Sequence, residues 1–251
     1  MPILIDFPHP HVALLTIDNP AKRNAMSRAM MAELCGLWDQ LETSSCRCIV
    51  LTGAGDKAFN AGADISGDLS ASEETARMVN RSLLKTSAYP KPIITAINGV
   101  CAGGGVELML ASDIRFAAPH ARFGLPEVKW GIYPFGGATA KLFSQINYVH
   151  AMRLILSAEM IDANEALRIG LINEIVPADS LLQRAIDLAT VIAANSPVAV
   201  QAVKQHVSEG VALATLAREA AEQAQGDRVR AGADFAEGVA AFREKRTPHY
   251  P

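Results

Sequence analysis

Short apolar segments that end in a glycine-bearing turn recur along this chain and most restrict the folds open to it. CIVLTG (48–53) precedes the turn GAGDKAF, and IITAI (93–97) precedes three successive glycines (103–105). Helical patterns follow these turns, and DIRFAA (113–118) has the composition of a third strand. Repeated strand, turn and helix is typical of an α/β fold with functional sites at strand ends. We therefore predict an α/β fold.

The second half of the chain is mostly helical in pattern. LINEIVP (171–177) predicts one last short strand, and helices are expected in LLQRAIDLATVIAAN and, after Pro197, in VAVQAVKQHVSEG. A final helix is expected near DFAEGVAAFREKR. Because no low-complexity linker divides the chain, we predict one α/β core over 1–195 and a helical C-terminal region over 196–251.

Composition excludes several classes of protein. Half of the 251 residues are apolar, 20% are charged and the net charge is −3. This favours a globular protein with no nucleic-acid or membrane partner, because there is no basic surplus and no apolar run long enough to span a bilayer. The N-terminus resembles neither a signal nor a transit peptide, so we expect a cytoplasmic location. Four cysteines and six scattered histidines show no metal-ligand spacing, and no metal site is predicted.

A single carboxylate, Glu107, lies within the apolar stretch CAGGGVELMLAS (101–112). If a helix begins at Gly103 or Gly104, its first N–H groups lack partners, and the glycines leave them open to a ligand oxygen. Gly104 and Glu107 then share one helix face, with the carboxylate leaning toward the Gly104 amide. This predicts an oxyanion donor beside an acid or base. The alternative is a capping-box glutamate, although the N-cap place holds no Ser or Thr.

A second carboxylate, Glu127, follows a proline in the apolar loop RFGLPEVKWGIYP (122–134). Taken alone it could be an ordinary loop glutamate. Two glutamates on separate apolar elements, near exposed amides, match addition or removal of water. One carboxylate deprotonates the water, and the other delivers a proton to the neighbouring carbon.

A second amide donor is expected in the small-residue turn GAGDKAFNAGADI (53–65). Ala61, Gly62 and Ala63 expose backbone there as the glycines of 103–105 do. For the adjacent Asp64, the alternative to a functional role is a helix N-cap or an Asx turn.

Six segments of this sequence resemble the crotonase family, the enoyl-CoA hydratase/isomerase superfamily. They occur in family order over about residues 10–248: NPAKRNAMS, GAGDKAFNAGADI, KPIITAINGVCAGGGVELMLASDIRFAA, ARFGLPEVKWGIYPFGGATAKL, AEMIDANEALRIGLINEIVP and DFAEGVAAFREKRTP. The resemblance implies a spiral of repeated ββα units with a helical C-terminal trimerisation region. It also implies a homotrimer, or a hexamer formed by two trimers.

The resemblance further implies an acyl-CoA thioester substrate whose carbonyl oxygen is held by the backbone N–H groups of Ala63 and Gly104. Glu107 and Glu127 match the family's two catalytic glutamates. Because both are present, the sequence is most like an enoyl-CoA hydratase, in which Glu107 activates water and Glu127 supplies the α-proton. Isomerases of the family commonly keep only the second glutamate. No cofactor is implied beyond the coenzyme A that the substrate carries.

Coenzyme A contacts are implied by the same resemblance. Main chain near KRNAM and NAGADI would bind it, and the corresponding positions are Ala25, Ala61, Asp64 and Ile65. Lys22 and Arg23 would lie near the phosphates, and Lys245 or Arg246 would reach the coenzyme A of a neighbouring subunit. For each of these basic side chains a solvated surface charge is the alternative.

The chain departs from the common family pattern at three places. SGDLSAS (66–72) stands where many hydratases have a charged helical segment, and Leu125 stands where glutamine is frequent. Phe135 and Ala138 occupy two glycine positions of the P-G-x-G-G pattern, and we expect Phe135 to pack rather than to narrow the pocket.

The alternatives to a hydratase lie both within the family and outside catalysis. The first alternative is an isomerase, or another acyl-CoA reaction of the family such as hydrolysis, dehalogenation, decarboxylation or condensation, because family members other than hydratases can hold both carboxylates. A non-catalytic acyl-CoA-binding protein is a further alternative, although neither glutamate is lost. The sequence contains no G-x-G-x-x-G, P-loop or G-x-S-x-G motif, which argues against nucleotide binding and a serine hydrolase.

Overall fold

The computed structural model describes residues 2–64 and 72–251. The predictions for Ile65 and for 66–71 lie outside the described residues. The strands are β1 (Ile3–His9), β2 (Val12–Ile17), β3 (Cys48–Gly53), β4 (Ala58–Asn60), β5 (Ile93–Ile97), β6 (Val100–Ala102), β7 (Ile114–Ala117), β8 (Arg122–Gly124), β9 (Ile161–Asp162) and β10 (Glu174–Ile175).

The helices are α1 (Arg28–Thr43), α2 (Glu73–Ser82), α3 (Gly104–Met109), α4 (Ala138–Gln145), α5 (Tyr148–Ser157), α6 (Ala163–Arg168), α7 (Leu181–Ala194), α8 (Pro197–Ala231) and α9 (Ala233–Glu244). Short 3-10 helices span Pro20–Lys22 and Pro126–Trp130. The predicted α/β fold is confirmed.

Two sheets organise the described residues. The larger has the order β1-β2-β3-β5-β7-β10, with β1 antiparallel to β2 and the other neighbours parallel. The smaller has the order β4-β6-β8-β9, and only β9 runs antiparallel to its neighbour. The chain leaves β3, β5 and β7 of the larger sheet and enters β4, β6 and β8 of the smaller one. This stepwise repeat brings the loops after β4, β6 and β8 to one side of the molecule.

The larger sheet is covered on both faces. Along β3, Ile49 and Leu51 pack in the cluster that contains Leu34 and Trp38 of α1. The alternate residue Val50 packs instead in the cluster that contains α7. A parallel sheet buried on both faces reads as a continuous apolar run, which is why β3 and β5 were recognisable in the sequence.

The C-terminal region is dominated by α8, which runs for 35 residues. The sequence pattern predicted a helix ending near Gly210, but α8 continues through Gly210 and Gly226, so that boundary was wrong. The predicted strand over 171–177 is shorter than expected and covers only β10. The division of the chain after residue 195 stays a prediction.

None of the described helices is, by itself, long and apolar enough to cross a membrane. One bent pair, α7 with α8, passes the same length and composition test only when its two helices are taken together across a 108° bend.

Candidate active site

The loops after β4 and β6 place two backbone amides side by side. Asn60 of β4 pairs with Cys101 of β6, so the chain leaves both strands in the same direction. A Cβ added at Gly104 would lie 3.6 Å from the Ala63 nitrogen, and one added at Gly62 would lie 3.4 Å from the Gly104 nitrogen. Within the described part of the chain, neither the Ala63 nor the Gly104 amide donates a hydrogen bond. The two predicted donors are therefore adjacent and open to a ligand.

Two asparagines that the sequence analysis missed hold the first of these loops. The Asn60 side chain accepts from the Gly62 amide at 2.7 Å and donates to the Asn24 carbonyl at 2.9 Å. Asn24 has a φ of 58° and donates to the Ala58 carbonyl at 2.7 Å. Both side chains are fully buried. Asparagine adopts left-handed backbone conformations more readily than most residues. An asparagine in a turn beside an apolar strand therefore indicates a residue that stabilises the turn.

Glu107 is held by a helix other than its own. It is buried on α3, and its Oε1 accepts a hydrogen bond from the Ala138 amide, at the start of α4, at 3.2 Å. The Gly103 amide donates to the Gly124 carbonyl, so Glu107 does not form the capping box considered above. A Cβ at Gly136 would lie 2.2 Å from Glu107 Oε2. The segment before α4 therefore closes tightly over the carboxylate.

Glu127 reaches the same place from the 3-10 helix Pro126–Trp130. A Cβ at Gly103 would lie 3.1 Å from Glu127 Oε1, so the carboxylate rests on the glycine turn that begins α3. Its Oε2 is buried and has no hydrogen-bond partner among the described residues. Gly103 also has a φ of +55°, which favours glycine at this contact. A buried carboxylate oxygen left without a partner is costly unless a ligand or water uses it.

Both carboxyl groups are shifted toward the protonated state. Burial raises the pKa of Glu107, and the charge of Glu222 raises it further, while the Ala138 and Gly136 amides and Lys85 act in the opposite direction. Burial raises the pKa of Glu127, and the negative charge of Glu107 adds to the effect. Because ionisation of one glutamate opposes ionisation of the other, the pair passes through a state that holds one proton. In that state it offers one acid and one base.

A cavity of about 650 Å³ opens beside the Ala63 amide. Six predicted coenzyme A or oxyanion residues line it: Lys22, Arg23, Ala25, Ala61, Ala63 and Asp64. Lys22 Nζ lies 2.6 Å from Asp64 Oδ2. Arg122 and Phe242 also line this cavity, and the sequence analysis missed both. No motif around Arg122 or Phe242 distinguishes them from an ordinary surface arginine or an ordinary buried phenylalanine, so the sequence does not mark them as cavity residues.

Lys245 does not line the cavity beside Ala63. It lies with Arg246 at a second cavity, and Phe242 borders both. Arg246 forms a two-pronged ion pair with Glu237, with the closer contact at 2.5 Å. Binding of coenzyme A by Lys245 or Arg246 of a neighbouring subunit stays a prediction. Among residues 2–64 and 72–251, no three His, Cys, Asp or Glu side chains are grouped to hold a metal ion.

Phe135 packs against α8. A Cβ at Gly226 would lie only 1.8 Å from Phe135 Cζ, so the ring fills a notch that only glycine leaves open. Tyr133 meets the ring at a centroid distance of 5.4 Å, and the Arg230 guanidinium lies over it at 5.3 Å. The prediction that Phe135 packs is confirmed, and the contact also explains a glycine inside a long helix.

Comparison with known proteins agrees with this fold. The family model described as enoyl-CoA hydratase/isomerase matches residues 9–251. An enoyl-CoA hydratase of Mycobacterium tuberculosis, EchA19, is 36% identical over 96% of this chain and 93% of its own length. The 2,3-dehydroadipyl-CoA hydratase of Escherichia coli is 35% identical over 95% of this chain and 94% of its own.

A solved structure gives the same result for the fold. The crystal structure of a carnitinyl-CoA hydratase from Mycobacterium avium superposes with a TM-score of 0.91. It is 34% identical, and the match covers 99% of this chain and 98% of that one. The crotonase-like architecture expected from the sequence is thus confirmed, with a long helical C-terminal region. The chain belongs to the enoyl-CoA hydratase/isomerase family.

Proposed function

We propose that this protein is an enoyl-CoA hydratase, which adds water across the 2,3 double bond of an enoyl-CoA thioester. The observation that carries the proposal is a pair of glutamates, the buried Glu107 and Glu127 with its buried Oε2, beside two adjacent amides that have no acceptor in the described chain. Hydration needs an acid, a base and an oxyanion site together, and these four groups include candidates for each role.

In the proposed reaction the thioester oxygen accepts hydrogen bonds from the Ala63 and Gly104 amides. Charge that develops on this oxygen in the enolate is stabilised there, and a donor of this type typically contributes about 2.7–4 kcal/mol. Ionised Glu107 takes a proton from water as the oxygen bonds to the β-carbon. Protonated Glu127 gives its proton to the α-carbon. The sum is one water added, and the pair returns to its starting state when the proton held by Glu107 passes to Glu127, directly or by exchange through solvent.

The cavity beside Ala63 supports coenzyme A as the carrier of the acyl group. Lys22 and Arg23 lie at its edge, where cations would face phosphates, and the small residues Ala25 and Ala61 leave main chain accessible. We propose that Asp64 takes part mainly by holding Lys22. The reaction needs no cofactor other than the coenzyme A of the substrate. A homotrimer or hexamer and a cytoplasmic location also remain proposals.

The test is turnover of crotonyl-CoA by the purified protein, followed as loss of the enoyl-thioester absorbance. We expect turnover in the wild type and its loss in Glu107→Gln. A wild type that is inert on crotonyl-CoA but converts a 3-enoyl-CoA, with activity that survives Glu107→Gln and is lost in Glu127→Gln, would identify an isomerase instead. Tight binding of both thioesters without turnover of either would contradict both reactions and favour a binding protein.

A further inference from the structure

A buried ionic cluster joins α8 to the site. We call Lys85, Thr139, Glu219 and Glu222 the α8 anchor. Lys85, just after α2, is 2% exposed, and its Nζ lies 2.8 Å from Glu219 Oε2 and also pairs with Glu222. The Thr139 hydroxyl donates to Glu222. One buried lysine thus meets two carboxylates of α8, and neither glutamate stood out in the sequence.

The two glutamates of the α8 anchor have different surroundings. The Glu219 side chain is 27% exposed, and its other oxygen accepts from Asn80 at 2.7 Å, on the α2 side. The Glu222 side chain is only 5% exposed and faces Thr139, in the first turn of α4. Thr139 follows Ala138, whose amide holds Glu107. Glu222 is therefore linked through Thr139 to the turn that holds Glu107, whereas Glu219 is linked through Asn80 to α2.

A second contact fixes the same segment on α8. Phe135 fills the notch at Gly226, and the Tyr133 hydroxyl donates to Thr139 at 3.3 Å. Gly136, which closes over the Glu107 carboxylate, lies between these two attachment points. The backbone that holds Glu107 is thus attached to α8 on both sides, at Phe135 and at Thr139.

We infer that Glu222 is a positioning residue for Glu107: through Thr139 it fixes the first turn of α4, whose Ala138 amide holds the Glu107 carboxyl. The inference rests on the proposed function, because it concerns how Glu107 serves as a base. It assigns α8 a part in the chemistry in addition to any part in assembly.

The charges that face Glu107 decide the direction of the effect. Glu222 is negative, and Glu127 adds a second negative charge only when it ionises, whereas Lys85 and Lys141 are positive. Burial lowers the pKa of Lys141 to about 8, and its Nζ donates to the Leu84 carbonyl at 2.6 Å. Glu222→Gln removes a like charge and leaves Lys85 less neutralised, and both changes lower the pKa of Glu107. Glu219→Gln produces only the second, weaker change.

The test is the pH dependence of kcat/KM on crotonyl-CoA for the wild type, Glu222→Gln and the matched control Glu219→Gln. The acid limb reports the base that must be ionised. We expect Glu222→Gln to move this limb to lower pH by about 0.5 unit or more, and Glu219→Gln to move it by less than half as much. Equal shifts in the two variants, or no shift in either, would overturn the inference.

A direct titration separates this inference from the proposed function. In a Glu127→Gln background the carboxyl signal of Glu107 is followed by carbon-13 NMR, with and without Glu222→Gln. A lower Glu107 pKa in the double variant supports the inference even if crotonyl-CoA is not turned over, and an unchanged pKa overturns it.

A second pair of variants, at Thr139, tests the inference if the Glu222→Gln protein does not fold. Thr139→Val removes the hydroxyl that meets Glu222, and Thr139→Ser keeps it. We expect kcat to fall about tenfold in the valine variant, with the acid limb moved to higher pH because the Ala138 amide that lowers the Glu107 pKa is held less firmly, and we expect the serine variant to stay within twofold of wild type with its acid limb unchanged. Equal kcat in the two variants would overturn the positioning role.

Discussion

Two buried charged regions of this molecule differ in how well their polar atoms are bonded. Behind the larger sheet, Arg115 donates to the Leu171 and Ser112 carbonyls, each at 3.1 Å, and to the Gln145 side chain. Lys204 lies 2.7 Å from Asp113. At the site, Glu127 Oε2 has no partner and neither glutamate has an ion pair, within the residues described. The charges of the Arg115 and Lys204 region are bonded to other protein groups, whereas the glutamate site keeps a carboxylate oxygen that can bond to a ligand.

The difference distinguishes buried charges that stabilise the fold from buried charges that are available for chemistry. A buried charge with all its hydrogen bonds made holds elements together, and losing it leaves other groups unpaired. A buried carboxylate with an unused oxygen destabilises the fold unless something else gains from it, and such sites are candidates for chemistry. Substitutions in the first region should therefore lower stability and spare activity, whereas substitutions at the glutamates should lower activity and spare stability.

Arg115→Met should lower stability without disabling the site. It leaves the Leu171 and Ser112 carbonyls without their donor, and because each buried acceptor left unsatisfied costs about 1–3 kcal/mol, we expect a loss of about 3–5 kcal/mol. Thermal unfolding should shift down by roughly 6–20 °C, with kcat at 25 °C within about twofold of wild type. The control is Arg122→Met, an exposed arginine on β8, which should change stability by less than about 0.5 kcal/mol. Equal losses in both variants would remove the distinction between the two regions.

Gly136→Ala should act on turnover rather than on binding. The new Cβ would lie 2.2 Å from Glu107 Oε2 and 2.4 Å from Leu83 Cδ1, so the carboxylate must move. We expect kcat to fall roughly 10- to 100-fold, with the affinity for coenzyme A thioesters within a few-fold. Gly210→Ala in α8 meets no atom within 4 Å and should leave kcat unchanged. A Gly136→Ala variant with full kcat would show that Glu107 need not be held in place.

Glu127→Gln should make the protein more stable at high pH. The folded pKa of Glu127 is raised above its unfolded value, so its contribution to stability is present below the unfolded pKa and is lost as pH rises through the folded one. The glutamine variant does not ionise. It should match wild type at pH 4.5 and exceed it at pH 8.5 by about 1–2 kcal/mol, or a few degrees in melting temperature. A variant that is less stable at pH 8.5 would mean that the carboxylate is satisfied after all.

Lys22→Gln should have the smallest effect. Its ion pair with Asp64 leaves half of the lysine side chain exposed, and exposed pairs contribute little to stability, about 0–1 kcal/mol. Loss of a cation at the cavity edge should raise KM for crotonyl-CoA a few-fold, with kcat and melting temperature unchanged. The increase should shrink at high salt, because screening weakens the attraction to phosphate. An unchanged KM would place the phosphates elsewhere.

The elements that the sequence predicted are those set by local pattern. β3 and β5 are short, fully buried segments that are apolar except for Thr52 and Thr95. The start of α3 was also predicted, because three glycines before an apolar stretch signal it. In each case neighbouring residues carry the information.

The features that the sequence did not predict depend on contacts between distant segments. The strands of the smaller sheet are only two or three residues long, so they carry no recognisable sequence pattern and are defined by their pairing with neighbouring strands. The glycine at position 226 of α8 is explained by its contact with Phe135, which lies 91 positions earlier in the printed sequence. Lys85 and Glu222 meet only because α8 folds back over the site. From the sequence alone, a charged residue such as Glu222 in a long helix is expected to face solvent, and only the fold shows that it is covered.

The most direct test of the central claim is kcat on crotonyl-CoA for Glu107→Gln, Glu127→Gln and the double variant, with melting temperatures at pH 8.5. If the two carboxylates act as one acid–base unit, each single variant loses about 10²- to 10⁴-fold, the double variant loses little more, and no variant melts below wild type. A single variant that keeps a third or more of wild-type activity, or activity losses that only follow a lower melting temperature, would contradict the claim.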